Sequence, residues 1–292
     1  IELLDARLPG SSTNPMLHAL AGQKPRLKVL NKQDLADPAV TQRWLAHFNA
    51  QSETRAIALD ASERAPAQKL VAACHALAPN RGGMAKPMRV LICGVPNVGK
   101  STLINTLRGE RKAKTGDEAG VTKLEQRITL EDDFYLWDTP GMLWPRIIVD
   151  KSGYNLAASG AVGRNAYDEE EVALELLDYL RQHYADLLEA RFRLDEPIAQ
   201  MRDEEVLEAI GRKRGALLGK GRVNLQKAAE IVMNEFRGGI IGRVSLETPE
   251  EFSQWLAEGE RKDAEREAKK AARKTRRKGG GESAGDSGAE SA

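Results

Sequence analysis

The chain has 292 residues, of which 41% are hydrophobic and 30% are charged, and its formal net charge is +1. This length accommodates one large α/β domain and a smaller second domain, while no apolar run reaches the roughly 18 residues that suggest a membrane span. The two cysteines, Cys74 and Cys93, provide neither a disulfide framework nor the spacing of a zinc site. With no signal-peptide pattern either, we expect a cytoplasmic protein without a membrane partner.

Short apolar runs alternate with helical patterns over the first two thirds of the chain. The expected strands are residues 1–4, 27–30, 56–59, 89–93 and 134–137, and the expected helices are residues 15–21, 38–49, 66–78 and 100–107. Such alternation predicts an α/β fold with a mostly parallel, doubly wound sheet that binds ligands at the carboxyl ends of its strands. Because residues 1–4 read as the middle of a strand, we expect further residues upstream of Ile1.

A change in composition near residue 168 defines the expected domains. Residues 1–165 form the α/β domain, whose halves, 1–80 and 86–165, are joined by a Gly-rich linker. Residues 168–257 carry apolar stripes at helical spacing and predict a small all-α domain. Residues 258–278 predict a basic helical extension. The Gly/Ser/Glu tail, 279–292, has little to bury and is expected to be disordered.

Residues 94–101, the phosphate loop, read Gly-Val-Pro-Asn-Val-Gly-Lys-Ser and lie between an expected strand and an expected helix. The glycines let successive backbone N–H groups point at a phosphate, and the following helix adds its N-terminal dipole. In such a loop Lys100 reaches the β- and γ-phosphates, and the Ser101 hydroxyl binds Mg²⁺. The pattern therefore predicts a nucleoside triphosphate site.

A second motif, Asp-Thr-Pro-Gly at residues 138–141, follows the last expected strand. Asp138 fits the carboxylate that acts on Mg²⁺ through a water, and the Gly141 N–H would sense the γ-phosphate. Thr122 is the candidate switch threonine for the Mg²⁺ shell; the alternative interpretation is a β-branched residue that opens the next strand. Met142 stands where many GTPases place a water-orienting glutamine, so the catalytic residue is left unassigned.

The Asn31-Lys32-Gln33-Asp34 motif follows an expected strand and selects the base. The Asp34 carboxylate can accept hydrogen bonds from guanine N1–H and the exocyclic amine, whereas adenine offers no such pair of donors. Asn31 would brace the site, and the Lys32 stem would pack on the base. We therefore expect the site to be specific for guanine.

A second base loop is expected at residues 60–62, with the Ala61 N–H as the donor to the base. The base motif precedes the phosphate loop, whereas an ordinary GTPase carries it afterwards, so the domain is expected to be circularly permuted at surface connections. The predicted Mg²⁺ ligands are Ser101, Thr122 and Asp138. The predicted GTP-binding residues are Asn31, Lys32, Asp34, Asp60, Ala61, Ser62, Asn97, Val98, Gly99, Lys100, Ser101, Thr102, Thr122, Asp138, Pro140 and Gly141.

This combination of motifs resembles the YlqF/RbgA family of circularly permuted GTPases over roughly residues 1–250. The likeness rests on the motif order, Asp-Ala-Arg-Leu-Pro at 5–9, GVPNVGKST at 94–102, GVTK at 120–123 and WDTPGMLWP at 137–145. The resemblance implies a bacterial GTPase that acts late in assembly of the large ribosomal subunit. It also implies a hydrophobic residue at the glutamine position, K⁺ assistance through Asn97, and a catalytic histidine upstream of Ile1.

The helical part is also rich in cations. Residues 261–278 contain ten Lys and Arg against three acids, an excess that favours contact with a phosphate backbone. Few aromatic residues are interleaved, so structured RNA is a better fit than stacked single strands. The resemblance likewise implies contact with rRNA. We expect the protein to be a monomer and to bind no DNA. The predicted RNA-binding residues are Arg212, Lys213, Arg214, Lys220, Arg222, Lys227, Arg237 and Arg243.

Two other functions remain open from the sequence. One is an RNA-binding scaffold that uses GTP as a structural ligand with little turnover, which Met142 allows. The other is a permuted GTPase that serves another ribonucleoprotein or a membrane process, although the chain lacks a hydrophobic anchor. A related small-subunit branch carries an N-terminal OB-type barrel and a zinc site, and neither pattern occurs in this chain.

Overall fold

The computed structural model describes residues 1–83, 85–109 and 126–279. The first half of the chain forms a six-stranded sheet with helices on its two faces. The strands are β1 (Glu2–Asp5), β2 (Arg26–Asn31), β3 (Thr54–Leu59), β4 (Met88–Gly94), β5 (Gln126–Glu131) and β6 (Phe134–Asp138). The helices of this half are α1 (Pro15–Ala21), α2 (Pro38–Asn49), α3 (Arg64–Leu77) and α4 (Lys100–Arg108).

The strand order in the sheet is β3-β2-β1-β4-β6-β5, and all neighbours are parallel except β5 and β6. The predicted α/β class and mostly parallel sheet are thus confirmed. β1 is the seam between the halves, since it pairs with β2 of the base half and with β4 of the phosphate half. β2, β4 and β6 therefore end at one edge of the sheet, where the three nucleotide motifs begin.

Local sequence explains why these elements form. Pro15 and Pro38 open α1 and α2, and the preceding Asn14 and Asp37 side chains accept backbone N–H groups of the first turn. Along the strands, side chains alternate between two faces: Leu3 and Val29 belong to one core cluster and Leu4 and Leu30 to another. Apolar runs of this kind indicate strands buried on both faces.

The antiparallel edge strand β5 was not predicted from the sequence. Its residues, Gln-Arg-Ile-Thr-Leu-Glu, alternate polar with apolar side chains and lack the continuous apolar run of the central strands. β5 forms a hairpin with β6, and Ile128 of this strand is buried. β5 is the last strand in the described part of the sheet, and a strand at the edge is less enclosed than the central strands, so it tolerates such polar side chains.

The second half of the described chain is helical. Its helices are α5 (Asp150–Ser159), α6 (Glu169–His183), α7 (Ala185–Phe192), α8 (Asp203–Lys213), α9 (Leu225–Arg237) and α10 (Pro249–Gly279). α6 packs against α5, α8 and α9 through the predicted apolar stripes. The expected boundary between residues 257 and 258 falls inside α10, which is continuous. Within the described ranges, no helix is both long and apolar enough to cross a membrane.

A buried carboxylate joins the helical half to the sheet. Glu247 is fully buried, and its side chain accepts hydrogen bonds from the Ser11 N–H at 2.8 Å, from the Ser11 hydroxyl and from Asn155 Nδ2 at 3.2 Å. Its backbone carbonyl accepts the Trp44 indole N–H at 3.0 Å. Burial raises the pKa of Glu247 to about 7, although the bonds from Ser11 oppose this shift.

This raised pKa predicts a pH-dependent stability. Below about pH 4.5 the Glu247 carboxyl is protonated in both the folded and the unfolded protein. As the pH rises from 4.5 to 7, the unfolded chain loses this proton before the folded protein does. The free energy of unfolding therefore falls by up to about 3 kcal/mol over this range. Urea unfolding across this range should show a steeper decline for the parent protein than for Glu247→Gln. Glu63→Gln, at an exposed position, should retain the parental slope. Parallel curves for the parent and Glu247→Gln would contradict the expectation.

Candidate guanine-nucleotide site

The phosphate loop connects β4 to α4 with the backbone geometry that anion binding requires. Asn97 and Gly99 both have positive φ, 57° and 102°, which turns successive N–H groups toward one side. A Cβ at Gly99 would lie 2.3 Å from Asn31 Nδ2, and one at Gly94 would lie 2.5 Å from the Leu3 carbonyl oxygen. Only glycine fits these two positions. Val98 is buried below the loop, while Ser101 and Thr102 begin α4 with partial exposure.

Lys100 and Asp138 form the charged centre of the site. Lys100 is only 6% exposed, and its Nζ donates to the carbonyl oxygens of Gly94 and Val95, both at 3.2 Å. Burial lowers the pKa of Lys100, and the charge of Asp138 opposes this effect. Burial raises the pKa of Asp138, and the charge of Lys100 opposes that shift. The two opposite charges thus partly offset the cost of burying each other.

One oxygen of Asp138 fits the Mg²⁺ role predicted for this residue. Asp138 Oδ1 is buried and has no hydrogen-bond partner among the described atoms, and such an atom is costly unless a ligand or water satisfies it. The following turn packs on the phosphate loop, since the Met142 N–H donates to the Gly94 carbonyl at 3.3 Å. A Cβ at Gly141 would lie 2.9 Å from Pro96 Cα. Thr122 lies outside the described residues.

Asn31 connects the phosphate loop with the second base loop. Its Nδ2 donates to the Val98 carbonyl at 2.7 Å, and its Oδ1 accepts the Ala61 N–H at 2.8 Å. Asn31 therefore braces the two loops against each other. The Ala61 N–H, which the sequence suggests as a donor to the base, is instead used for this internal contact. Asp60 caps its own loop by accepting the N–H and hydroxyl of Ser62, at 2.8 and 2.7 Å.

Lys32 and Asp34 differ in how they are held. Lys32 has a φ of 62°, and its Nζ lies 3.0 Å from Asp5 Oδ2. Asp34 is exposed at the edge of the sheet where β2 ends. An exposed carboxylate at this position is compatible with reading a base that enters from solvent. Asp34 therefore depends on its loop for a defined position.

The buried ion pair of Asp5 and Arg7 was missed as a site feature by sequence reasoning. Arg7 is 1% exposed and holds Asp5 with Nε at 2.9 Å and Nη2 at 2.8 Å. Burial alone would raise the pKa of Asp5, but the charges of Arg7 and Lys32 outweigh it and hold that pKa well below its usual value. Arg7 also donates to the Phe236 carbonyl at the end of α9, at 2.9 Å. The Asp-Ala-Arg motif thus ties the base site to the helical half.

The cations predicted to bind RNA fall into two groups. Arg237 and Arg243 donate to carbonyls inside the protein: Arg237 to Ala157 and Ala158, and Arg243 to Gln33 and Ala36. Their expected role in RNA contact needs correction, because both side chains are used inside the protein. Arg237 joins α9 to α5, and Arg243 joins the helical half to the loop after β2. Arg214 is only partly exposed and also donates to a carbonyl inside the protein, that of Arg191 at 3.2 Å. The others lie at exposed positions on α8, on α9 or between them, and are Arg212, Lys213, Lys220, Arg222 and Lys227.

A permuted sheet that brings a phosphate loop, an Asp-Thr-Pro-Gly turn and an Asn-Lys-Gln-Asp turn to one edge defines a circularly permuted P-loop GTPase. Residues 89–210 match the family described as 50S ribosome-binding GTPase. Ribosome biogenesis GTPase A of Bacillus cereus is 40% identical over 268 residues, which span 89% of this chain and 90% of that protein. The chain belongs to the ribosome biogenesis GTPase A (YlqF/RbgA) family, and it is an enzyme that hydrolyses GTP.

More distant relatives and solved structures agree with this assignment. Mitochondrial ribosome-associated GTPase 1 of Xenopus tropicalis is 33% identical over 85% of this chain and 86% of that protein. The structure of GNP-bound YlqF from T. maritima has a TM-score of 0.60 at 27% identity, over 86% of this chain and 92% of that one. A GDP-bound YlqF structure has a TM-score of 0.61, also at 27% identity, over 85% and 93%. The similarity therefore spans both halves.

Proposed function

We propose that this GTPase acts in assembly of the large ribosomal subunit and contacts ribosomal RNA through its helical half. The observation that carries the proposal is the direct attachment of that half to the nucleotide site: Asn97 Nδ2 of the phosphate loop donates to the Gly160 carbonyl, at the end of α5, at 2.8 Å. The match of residues 89–210 to 50S ribosome-binding GTPases supports the large subunit as the client. The free, reduced cysteines suit the cytoplasm.

Nucleotide state would reach the helical half through residues 142–149, which link the Asp-Thr-Pro-Gly turn to α5. Arg146 of this segment pairs with Asp263 and with Glu267 of α10. The approach of the segment to α10 is close, since a Cβ at Gly259 would lie 2.5 Å from the Ile148 carbonyl oxygen. Loss of the γ-phosphate would shift Gly141, and that shift would be passed to α5 and α10. GTP would then favour the RNA-bound arrangement, and hydrolysis would favour release.

Mg²⁺ is the cofactor of this class of enzyme, and Ser101, Thr122 and Asp138 would hold it. When bound, it neutralises charge between the β- and γ-phosphates. K⁺ would be an additional cofactor with Asn97 as a ligand. The bond from Asn97 Nδ2 to Gly160 would set the orientation of that amide. Met142 is half exposed and carries no group that can orient water, so we propose a low intrinsic rate that the ribosomal partner raises.

RNA contact would use the surface of α8 and α9 together with α10. Lys220 and Arg222 lie in the exposed turn between α8 and α9, beside the exposed side chains of Leu217 and Leu218. Exposed cations of α10, among them Arg261, Lys269 and Lys270, would add further phosphate contacts. Phosphate contacts of this kind are sequence-independent and sensitive to salt. The protein would act as a monomer, with no role for DNA.

The test is GTP turnover in K⁺ buffer with no ribosomal particles, with small subunits or with large subunits. Stimulation by large subunits alone, with tighter binding in the presence of a nonhydrolysable GTP analogue than of GDP, is the expected result. Stimulation by small subunits alone would overturn the assignment of the client. Binding to large subunits without stimulated turnover would overturn the proposal that the ribosomal partner raises the rate of hydrolysis.

The base-reading role of Asp34 predicts a change in nucleotide preference. In Asp34→Asn one acceptor becomes a donor, so guanine leaves an unsatisfied pair and GDP affinity should fall by about 1–3 kcal/mol. Xanthosine diphosphate, with a carbonyl in place of the amine, should bind better than it does to the parent. Titration with fluorescent diphosphates measures both. Asp132→Asn, at an exposed position in the β5–β6 hairpin, is the control, and unchanged GDP preference in Asp34→Asn would contradict the base site.

A further inference from the structure

The guanine loop, residues 31–37, is held by a segment far away in the chain. The return segment, residues 239–247, runs from the end of α9 back toward the sheet. Its Arg243 donates from Nη2 to the Gln33 carbonyl at 2.9 Å and from Nε to the Ala36 carbonyl at 3.0 Å. Arg243 and Gln33 are 210 positions apart. Two backbone carbonyls on either side of Asp34 are therefore bound by one guanidinium group.

The neighbouring residues extend this contact in register. The Val244 N–H donates to the Leu35 carbonyl at 3.1 Å, and the Ser245 hydroxyl accepts the Asp37 N–H at 3.2 Å. Three consecutive residues of the return segment thus bind four positions of the guanine loop: 33, 35, 36 and 37. Because the Gln33 carbonyl belongs to the same peptide group as the Asp34 N–H, this contact reaches the backbone of Asp34 itself.

The Leu35 side chain fits closely against the same segment. Gly239 has a φ of 68°, and a Cβ there would lie 2.5 Å from Leu35 Cδ2. A glycine at this position allows the return segment to approach the guanine loop. Asp34 is thereby flanked by a bonded carbonyl on one side and by a packed leucine on the other, although its own carboxylate is exposed to solvent.

We propose that Arg243 is a positioning residue for guanine recognition: it holds the Asp34 carboxylate in place from the helical half of the protein. This inference rests on the proposed base-reading role of Asp34. A carboxylate that must accept two hydrogen bonds from one base edge needs a fixed backbone, since a loop that moves loses the second bond first. Arg243 supplies that constraint through the carbonyls of Gln33 and Ala36.

The readout that separates positioning from general stability is the ratio of GDP affinity to inosine diphosphate affinity. Inosine diphosphate lacks the exocyclic amine, so the ratio reports the second hydrogen bond to Asp34. Arg243→Ala should reduce this ratio about threefold to tenfold, which corresponds to roughly one lost hydrogen bond. Arg243→Lys keeps the charge but not the two-pronged geometry of the guanidinium group, so it should give an intermediate ratio. If the alanine variant fails to fold, the lysine variant tests the proposal in its place.

Arg237→Ala is the matched control. Arg237 also donates to two backbone carbonyls, those of Ala157 and Ala158 in α5, but its described contacts do not include the guanine loop. Any loss of affinity in this variant should be equal for both nucleotides, which leaves the ratio unchanged. An unchanged ratio in a folded Arg243→Ala or Arg243→Lys protein would overturn the proposal.

Asp34→Ala distinguishes failure of this inference from failure of the proposed base site. If Asp34 reads the base, this variant should bring the ratio close to one. A parental ratio in Asp34→Ala would refute the base site itself, and the Arg243 proposal with it. A reduced ratio in Asp34→Ala together with a parental ratio in the Arg243 variants would refute only the positioning role.

Discussion

Replacing Lys100 with alanine is expected to weaken the binding of GTP and GDP by at least about 30-fold. The Lys100 ammonium is buried beside Asp138 and lies at the phosphate loop, where an anion would be its partner. Truncating one member of a buried, hydrogen-bonded charge pair costs about 2–5 kcal/mol, which is a loss of roughly 30-fold to several thousandfold in affinity. Titration calorimetry or a fluorescent nucleotide would measure the loss.

The control for this variant is Lys69→Ala, because Lys69 is an exposed lysine on α3. It should bind nucleotide like the parent. The Lys100→Ala protein also loses the bonds to the Gly94 and Val95 carbonyls, so circular dichroism at the titration temperature should accompany the measurement. Retained nucleotide affinity in a folded Lys100→Ala protein would show that the phosphate site lies elsewhere.

Replacing Arg7 with alanine should destabilise the protein by about 3–5 kcal/mol, because the Asp5 carboxylate would remain buried without its main partner. The variant also loses the bond to the Phe236 carbonyl and the contact of the guanidinium with the Phe236 ring, 4.5 Å from its centroid. The midpoint of denaturant-induced unfolding measures the effect. The loss should be smaller in the double variant Arg7→Met, Asp5→Leu, which removes both charges at once.

A surface ion pair provides the comparison for Arg7→Ala. Arg202 and Glu205 form a pair whose side chains are 73% and 45% exposed. Removal of Arg202 should therefore leave the free energy of unfolding almost unchanged. If Arg7→Ala and Arg202→Ala proved equally mild, the Asp5–Arg7 pair would not be the buried tie between the halves that the geometry indicates.

The central position of β1 explains how the nucleotide site stays intact although the order of the motifs is permuted. β1 lies at the centre of the sheet, and Asp5 at its end contacts Lys32 of the base motif. In the same register, Leu3 of β1 is opposite Gly94 of the phosphate loop. The base half and the phosphate half therefore meet on one strand, and the order of the motifs along the chain does not affect their positions at the sheet edge.

Sequence alone determined the parts of this protein that depend on short-range patterns. The apolar runs of the central strands, the capped starts of α1 and α2, and the three nucleotide motifs could be recognised because neighbouring residues specify them. The parallel sheet followed from strand–helix alternation, since parallel strands require crossover connections. The edge strand β5 was not among the expected strands, because its polar and apolar residues alternate over only six positions.

Tertiary structure decided which way the polar side chains point. A run of cations in the sequence favours RNA contact, but only the fold shows that Arg237 and Arg243 bind carbonyls of the protein itself. Likewise, the Ala61 N–H binds Asn31, and Arg7 is buried against Phe236. The physical reason is common to all of these: a hydrogen bond depends on partners that are brought together by folding, and in this chain some lie more than 200 residues apart.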